Sequence, residues 1–103
     1  MPKVSVGRLE EFVVEQPQRV VAAAIPLCVV RTGDGSVYAL RDECTHEDAC
    51  LSEGEVWRDE IECPRHQSRF DLRTGAAANP PATLPVPTFR TSVEDGVVHV
   101  EIP

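Results

Sequence analysis

The residues best suited to chemistry form two short clusters, Cys44-Thr45-His46 and Cys63-Pro64-Arg65-His66, separated by sixteen residues. Thiolate sulfur and imidazole nitrogen bind both zinc and iron well, so the residue types alone leave the metal open. The pairing narrows it. Zinc fingers place two Cys in one knuckle and two His on one helix, whereas each cluster here offers one Cys and one His. That arrangement suits a two-iron centre in which one iron takes Cys44 and Cys63 and the other takes His46 and His66. A structural zinc module is the bland alternative, and it predicts a colourless protein.

The bulk composition is consistent with a small scaffold around such a centre. A chain of 103 residues makes one domain, 1–103, with a modest core to which a metal centre adds materially. The formal charge of -7, with Lys3 as the only lysine, argues against nucleic acid or an anionic membrane surface and for a basic protein surface as partner. Nine of the seventeen carboxylates fall between Asp42 and Glu62. A solvated hairpin is the plain reading of that run; steering of a basic partner is the sharper one. No stretch reaches the roughly 18 to 20 apolar residues of a membrane span, and no secretory signal opens the chain, so a cytoplasmic monomer is expected. In a reducing compartment the four cysteines read as ligands and thiols rather than disulfides. Cys28, in the apolar run Ile25 to Val30, is then a small buried hydrophobe, and Cys50 a partly buried thiol.

The elements that must position the clusters read as strands. Val4 and Val6 begin a short alternation; Arg19 to Ala24 and Leu27 to Arg31 follow, with Pro26 favouring a break or an edge position. Thr32-Gly33-Asp34-Gly35 is turn chemistry, and Val37 to Leu40 is the return strand that leads into Cys44. Glu55-Val56-Trp57 and Glu60-Ile61-Glu62 flank Arg58-Asp59 as a hairpin that delivers Cys63, with Trp57 as a packing residue. Phe70-Asp71-Leu72 ends at Thr74-Gly75. Ala76 to Pro87 holds four of the nine prolines and reads as a stiff surface loop. Phe89 to Glu94 and Val97 to Ile102 flank Asp95-Gly96, a strong hairpin signal that leaves His99 facing solvent. Turn signals recur about every ten residues and no helical period persists, which predicts an all-β sandwich or barrel.

Cys-x-His followed by Cys-x-x-His is the signature of the Rieske [2Fe-2S] proteins. Leu51-Ser52-Glu53-Gly54, Arg69 to Gly75 and Pro80-Pro81-Ala82 extend the likeness, and the chain resembles the soluble Rieske ferredoxins of bacterial ring-hydroxylating (aromatic) dioxygenase systems. The resemblance implies an antiparallel β-sandwich base and a small cluster-binding subdomain, about 43–83, with the loop around Pro81 as a third wall. It also implies one [2Fe-2S] Rieske cluster, ligated by Cys44, His46, Cys63 and His66. High-potential members of the family carry a loop-bridging disulfide, but Arg65 stands at one of its positions here. Ser68 keeps the place of a hydroxyl that bonds to a cluster sulfur, while Phe70 replaces a second donor. These features predict a potential in the low part of the Rieske range of roughly -150 to +300 mV.

With His46 and His66 used, His99 alone cannot build a mononuclear iron site of two His and one carboxylate. The chain also has no Gly-rich nucleotide fingerprint. The resemblance therefore implies a carrier without a catalytic site, moving single electrons from an NAD(P)H-dependent flavin reductase to a terminal oxygenase. The alternative is a small subunit of a reductase complex such as assimilatory nitrite reductase.

Overall fold

The computed structural model describes every residue except Met1, His46, Glu47, Asp48, His66, Gln67, Pro81 and Thr83. The strands are β1 (Lys3–Arg8), β2 (Gln18–Ala22), β3 (Ile25–Arg31), β4 (Val37–Arg41), β5 (Glu55–Trp57), β6 (Glu60–Glu62), β7 (Arg69–Asp71), β8 (Thr88–Phe89), β9 (Thr91–Glu94) and β10 (Val97–Glu101). Single 3-10 turns cover Leu9–Glu11 and Leu51–Glu53. The strands form three antiparallel sheets, ordered β1-β10-β9, β2-β3-β4-β8 and β5-β6-β7. The fold is all-β, as expected.

Strand β3 explains the layering. Its residues alternate between two cores: Leu27 and Val29 join Phe12, Val98 and Val100, while Cys28 and Val30 join Cys44, Leu51, Ile61, Cys63 and Phe70. Strand β4 divides likewise, with Val37 and Ala39 on the first side and Leu40 on the second. The sheet β2-β3-β4-β8 is thus a middle layer covered on both faces, and a strand so placed reads as a continuous apolar run rather than an alternation. The run Leu27-Cys28-Val29-Val30 has that form. It puts Cys28 in the same core as the two candidate ligand thiols.

The structure departs from these expectations in several places. Strand β3 runs through Pro26 without a break. Pairing with β4 begins only at Leu27↔Arg41, and the Pro26 carbonyl accepts the Asp42 N–H at 2.9 Å. The N–H and C=O of a strand residue point the same way, so the donor that Pro26 lacks would face past the end of the β4 ladder. The break comes earlier, at Ala23 and Ala24, which turn β2 into β3 with φ of 50° and 65°. The stretch Phe89 to Glu94 is two strands: β8 pairs with β4 and β9 with β10, so the chain changes sheets at Arg90. The proline-rich segment is no mere surface wrap, since Ala82 and Val86 are buried in the core that holds Cys44 and Cys63. Trp57 lies on the outer face of β5, 59% exposed, with Val56 turned inward beside Ile61. His99 is half-buried, and its Nδ1 is enclosed without a hydrogen-bond partner among the described residues.

Candidate metal centre

Two loops present the cysteines. The first follows β4, and its Cys44 N–H donates to the Ala49 carbonyl at 2.9 Å; the second joins β6 to β7, and its Cys63 N–H donates to the Ser68 carbonyl at 2.7 Å. Each bond runs from the cysteine to the residue five positions on and closes the short segment between them. Both thiols face inward: Cys44 is 5% and Cys63 1% exposed, in one cluster with Phe70, Ala82 and the partly buried Ala49 and Ala77. The sequence therefore brings its two candidate thiols to one buried place from 19 positions apart. His46 and His66, the other two expected ligands, lie outside the described residues, as does Pro81.

The proline-rich segment is fastened to both loops. Thr45 Oγ1 donates to the Leu84 carbonyl at 2.7 Å, and the Ala82 N–H donates to Ser68 Oγ at 3.1 Å. The Arg69 N–H donates to Asn79 Oδ1 at 2.7 Å, and the Ala78 N–H returns to the Arg69 carbonyl at 2.7 Å. Two glycines permit the close approaches behind this wall. A Cβ at Gly54 would lie 1.8 Å from the Glu62 carbonyl oxygen, immediately before Cys63, and one at Gly75 would lie 2.0 Å from the Val86 carbonyl oxygen. No side chain fits at either point.

Sequence reasoning missed the support beneath the first loop. Asp42 is buried, and its carboxylate receives the Ser52 N–H at 2.7 Å, the Ser52 hydroxyl at 2.6 Å and Arg19 Nη1 at 2.9 Å. The same guanidinium nitrogen lies 3.4 Å from the Cys50 sulfur. Cys50 is half-buried, in line with expectation. The signal was present in Asp42 and Ser52, which bracket the loop, but their contact joins residues ten apart and has no local period. Burial pushes the Cys28 thiol far above its ordinary range, and the nearby Asp42 charge adds to the effect. Cys28 is thus a buried neutral thiol, as its apolar neighbours suggested.

The donor set fits an iron–sulfur group. Two inward thiols and alanine-lined walls suit a compact cluster bound in a dry site. Ser68 Oγ is fully buried and accepts the Ala82 N–H, a placement from which its hydroxyl could donate to a group held in the site. Fold and site together fit the class of all-β proteins that hold a metallocluster between two loops, and Cys44 and Cys63 would be its thiolate anchors here.

Comparison with known proteins makes this specific. The family pattern described as Rieske [2Fe-2S] domain matches residues 3–90. The chain is 41% identical over 96 residues to an anthranilate 1,2-dioxygenase ferredoxin subunit of Burkholderia cepacia, covering 93% of this chain and 88% of that one. A solved structure of the ferredoxin of carbazole 1,9a-dioxygenase from Nocardioides aromaticivorans IC177 superposes with a TM-score of 0.92 at 36% identity, covering 97% of each chain. A ferredoxin solved as a complex of reduced oxygenase and oxidized ferredoxin in carbazole 1,9a-dioxygenase matches with a TM-score of 0.88 at 39% identity, over 95% of this chain and 91% of that one. A small subunit of a putative NADPH nitrite reductase shares the fold at 21% identity. The chain belongs to the Rieske [2Fe-2S] family, and its cofactor is one Rieske [2Fe-2S] cluster.

Proposed function

We propose that this chain is the ferredoxin component of a multicomponent aromatic-ring dioxygenase system, carrying single electrons from an NAD(P)H-oxidising flavin reductase to a terminal oxygenase. The observation that carries the reading is the end-to-end match to a dioxygenase ferredoxin, 97% of both chains at 36% identity. When bound, the cluster supplies one-electron chemistry. Cys44 and Cys63 would hold one iron in the core, and His46 and His66 would hold the other toward the surface; residues about 43–83 would act as the cluster-binding subdomain of a single domain. The protein itself would be a carrier without a catalytic site. His99, the third histidine, lies on β10 across the middle sheet from the thiols, which supports that role.

The surface suits brief encounters. Sheet β5-β6-β7 turns Val56, Ile61 and Phe70 inward, while Glu55, Glu60, Glu62 and Asp71 share its outer face with Trp57 and Arg69. Glu55 stands opposite Glu62 and Glu60 opposite Asp71 in the ladder, a placement of like charges that costs stability and favours an approaching basic surface. The reading places the protein in the cytoplasm as a monomer that meets each partner in turn. No helix among the described residues is long and apolar enough to cross a membrane.

Reconstitution tests the proposal. The purified chain should make substrate oxidation by a cognate oxygenase depend on a separate reductase, should oxidise no nicotinamide by itself, and should slow as salt rises. A chain obtained only as a fixed subunit of a reductase complex, or a turnover rate indifferent to ionic strength, contradicts it.

A further inference from the structure

The buried Asp42 sits two residues before Cys44, beside a core that packs mostly apolar groups around the thiols. Its position has two consequences. By accepting both the N–H and the hydroxyl of Ser52, it ties the entrance of the first cysteine loop to its exit. By remaining inside the protein, it adds an anionic group close to a centre whose reduction adds a further negative charge. The only cation on it among the described residues is Arg19, contributed by β2 from outside the loop and bonded at 2.9 Å. The two partners are unequal in burial: the Asp42 side chain is 0% exposed and that of Arg19 48%.

We propose that Asp42 and Arg19 form a charge couple that tunes the potential of the cluster, Asp42 lowering it while positioning the Cys44 loop and Arg19 partly offsetting that effect. The Asp42 side chain is fully buried two residues before Cys44, whose thiol lies in this core, so its charge acts on the core through protein rather than through water. A charge in a low-dielectric interior acts over longer range than one in water, whereas a half-exposed guanidinium is screened. Asp42 is therefore the stronger member and Arg19 the weaker. Potentials of iron–sulfur centres respond to net charge and burial in this way. The inference rests on the cluster and not on the identity of any electron donor or acceptor.

The test is a redox titration of the intact holoprotein, followed by visible absorption, in the variants Asp42→Asn and Arg19→Met, with paramagnetic resonance verifying that the cluster is unchanged in type. Asp42→Asn should shift the potential positive. Arg19→Met should shift it negative by a smaller amount that shrinks with added salt, and Arg19→Lys should stay near the wild-type value. The double variant should return toward wild type. A merely structural role would not give opposite signs. Should Asp42→Asn fail to retain the cluster, Arg19→Met decides alone: a negative shift at low salt upholds the couple, and no shift or a positive one overturns it.

Discussion

The two cysteine loops close in the same manner, a cysteine N–H to the carbonyl five residues on, yet they are anchored by different means. The second loop continues directly from β6 into β7, whose ladder pairs Glu62 with Arg69 at its base. Backbone hydrogen bonds hold it there. The first loop leaves β4 and enters a 3-10 turn rather than a partner strand, so its two ends meet through side chains: Asp42, Ser52 and Arg19. A ladder tolerates most changes of side chain, whereas a carboxylate clamp depends on a single residue. The first loop should therefore be sensitive to conservative substitutions that the second survives.

The largest effect belongs to the point where the two loops meet. Gly54→Ala sets a Cβ against the Glu62 carbonyl, a backbone group that cannot swing aside, and should cost about 3 kcal/mol and lower iron content, read by thermal unfolding and metal analysis. Wild-type stability in that variant would show that the approach is not a constraint. Next comes the clamp. Asp42→Ala strands two half-buried Ser52 donors and should cost about 2 kcal/mol, the exposed side of Arg19 limiting the loss. Ser68→Ala on the second loop removes one acceptor and should cost about 1 kcal/mol while lowering the potential; equal losses at Asp42 and Ser68 would erase the contrast between the loops.

Smaller effects lie away from the site. Ala23→Asn with Ala24→Gly gives the β2–β3 turn residues suited to its positive φ, and should stabilise by about 1 kcal/mol, raising the melting temperature by about 4–8 °C. The smallest concerns Asp34, whose carboxyl is held below its ordinary value by the Thr32 hydroxyl and the Ser36 N–H. With the folded pKa depressed, its contribution is present above the ordinary value of 3.8 and is lost as the pH falls through the folded value. Asp34→Asn should flatten that part of an acid titration of stability and slightly lower the plateau at higher pH, with stability at the acid end unchanged.

Much of this was legible because it is local. Asp95-Gly96 and Thr32 to Gly35 announce their turns, and both structure as expected. Glu55–Trp57 and Glu60–Glu62 pair across Arg58-Asp59 as read. The Cys and His spacing pointed to the family and to two thiols that the fold brings into one core, since two segments with one Cys and one His each form an uncommon pattern. What the sequence hid was non-local or unconventional. Ala23 and Ala24 carry no turn signal, because alanine is rarely placed at positive φ. The change of sheet at Arg90 depends on which neighbours β8 and β9 find. Burial of Ala82 and Val86 follows from Thr45, Ser68 and Asn79 drawing the proline-rich segment inward, contacts that cross between 10 and 39 positions of sequence. The Asp42 clamp is of the same kind.

The central claim is a single mixed-ligand cluster in which Cys44 and Cys63 serve one iron and His46 and His66 the other. Its most direct test is low-temperature paramagnetic resonance of the reduced protein, with the spin counted per chain, beside the same measurement on His66→Ala. The account predicts one rhombic signal of one spin per chain in the native protein and its loss in the variant. A colourless protein without signal, or a spectrum unchanged by His66→Ala, would contradict it.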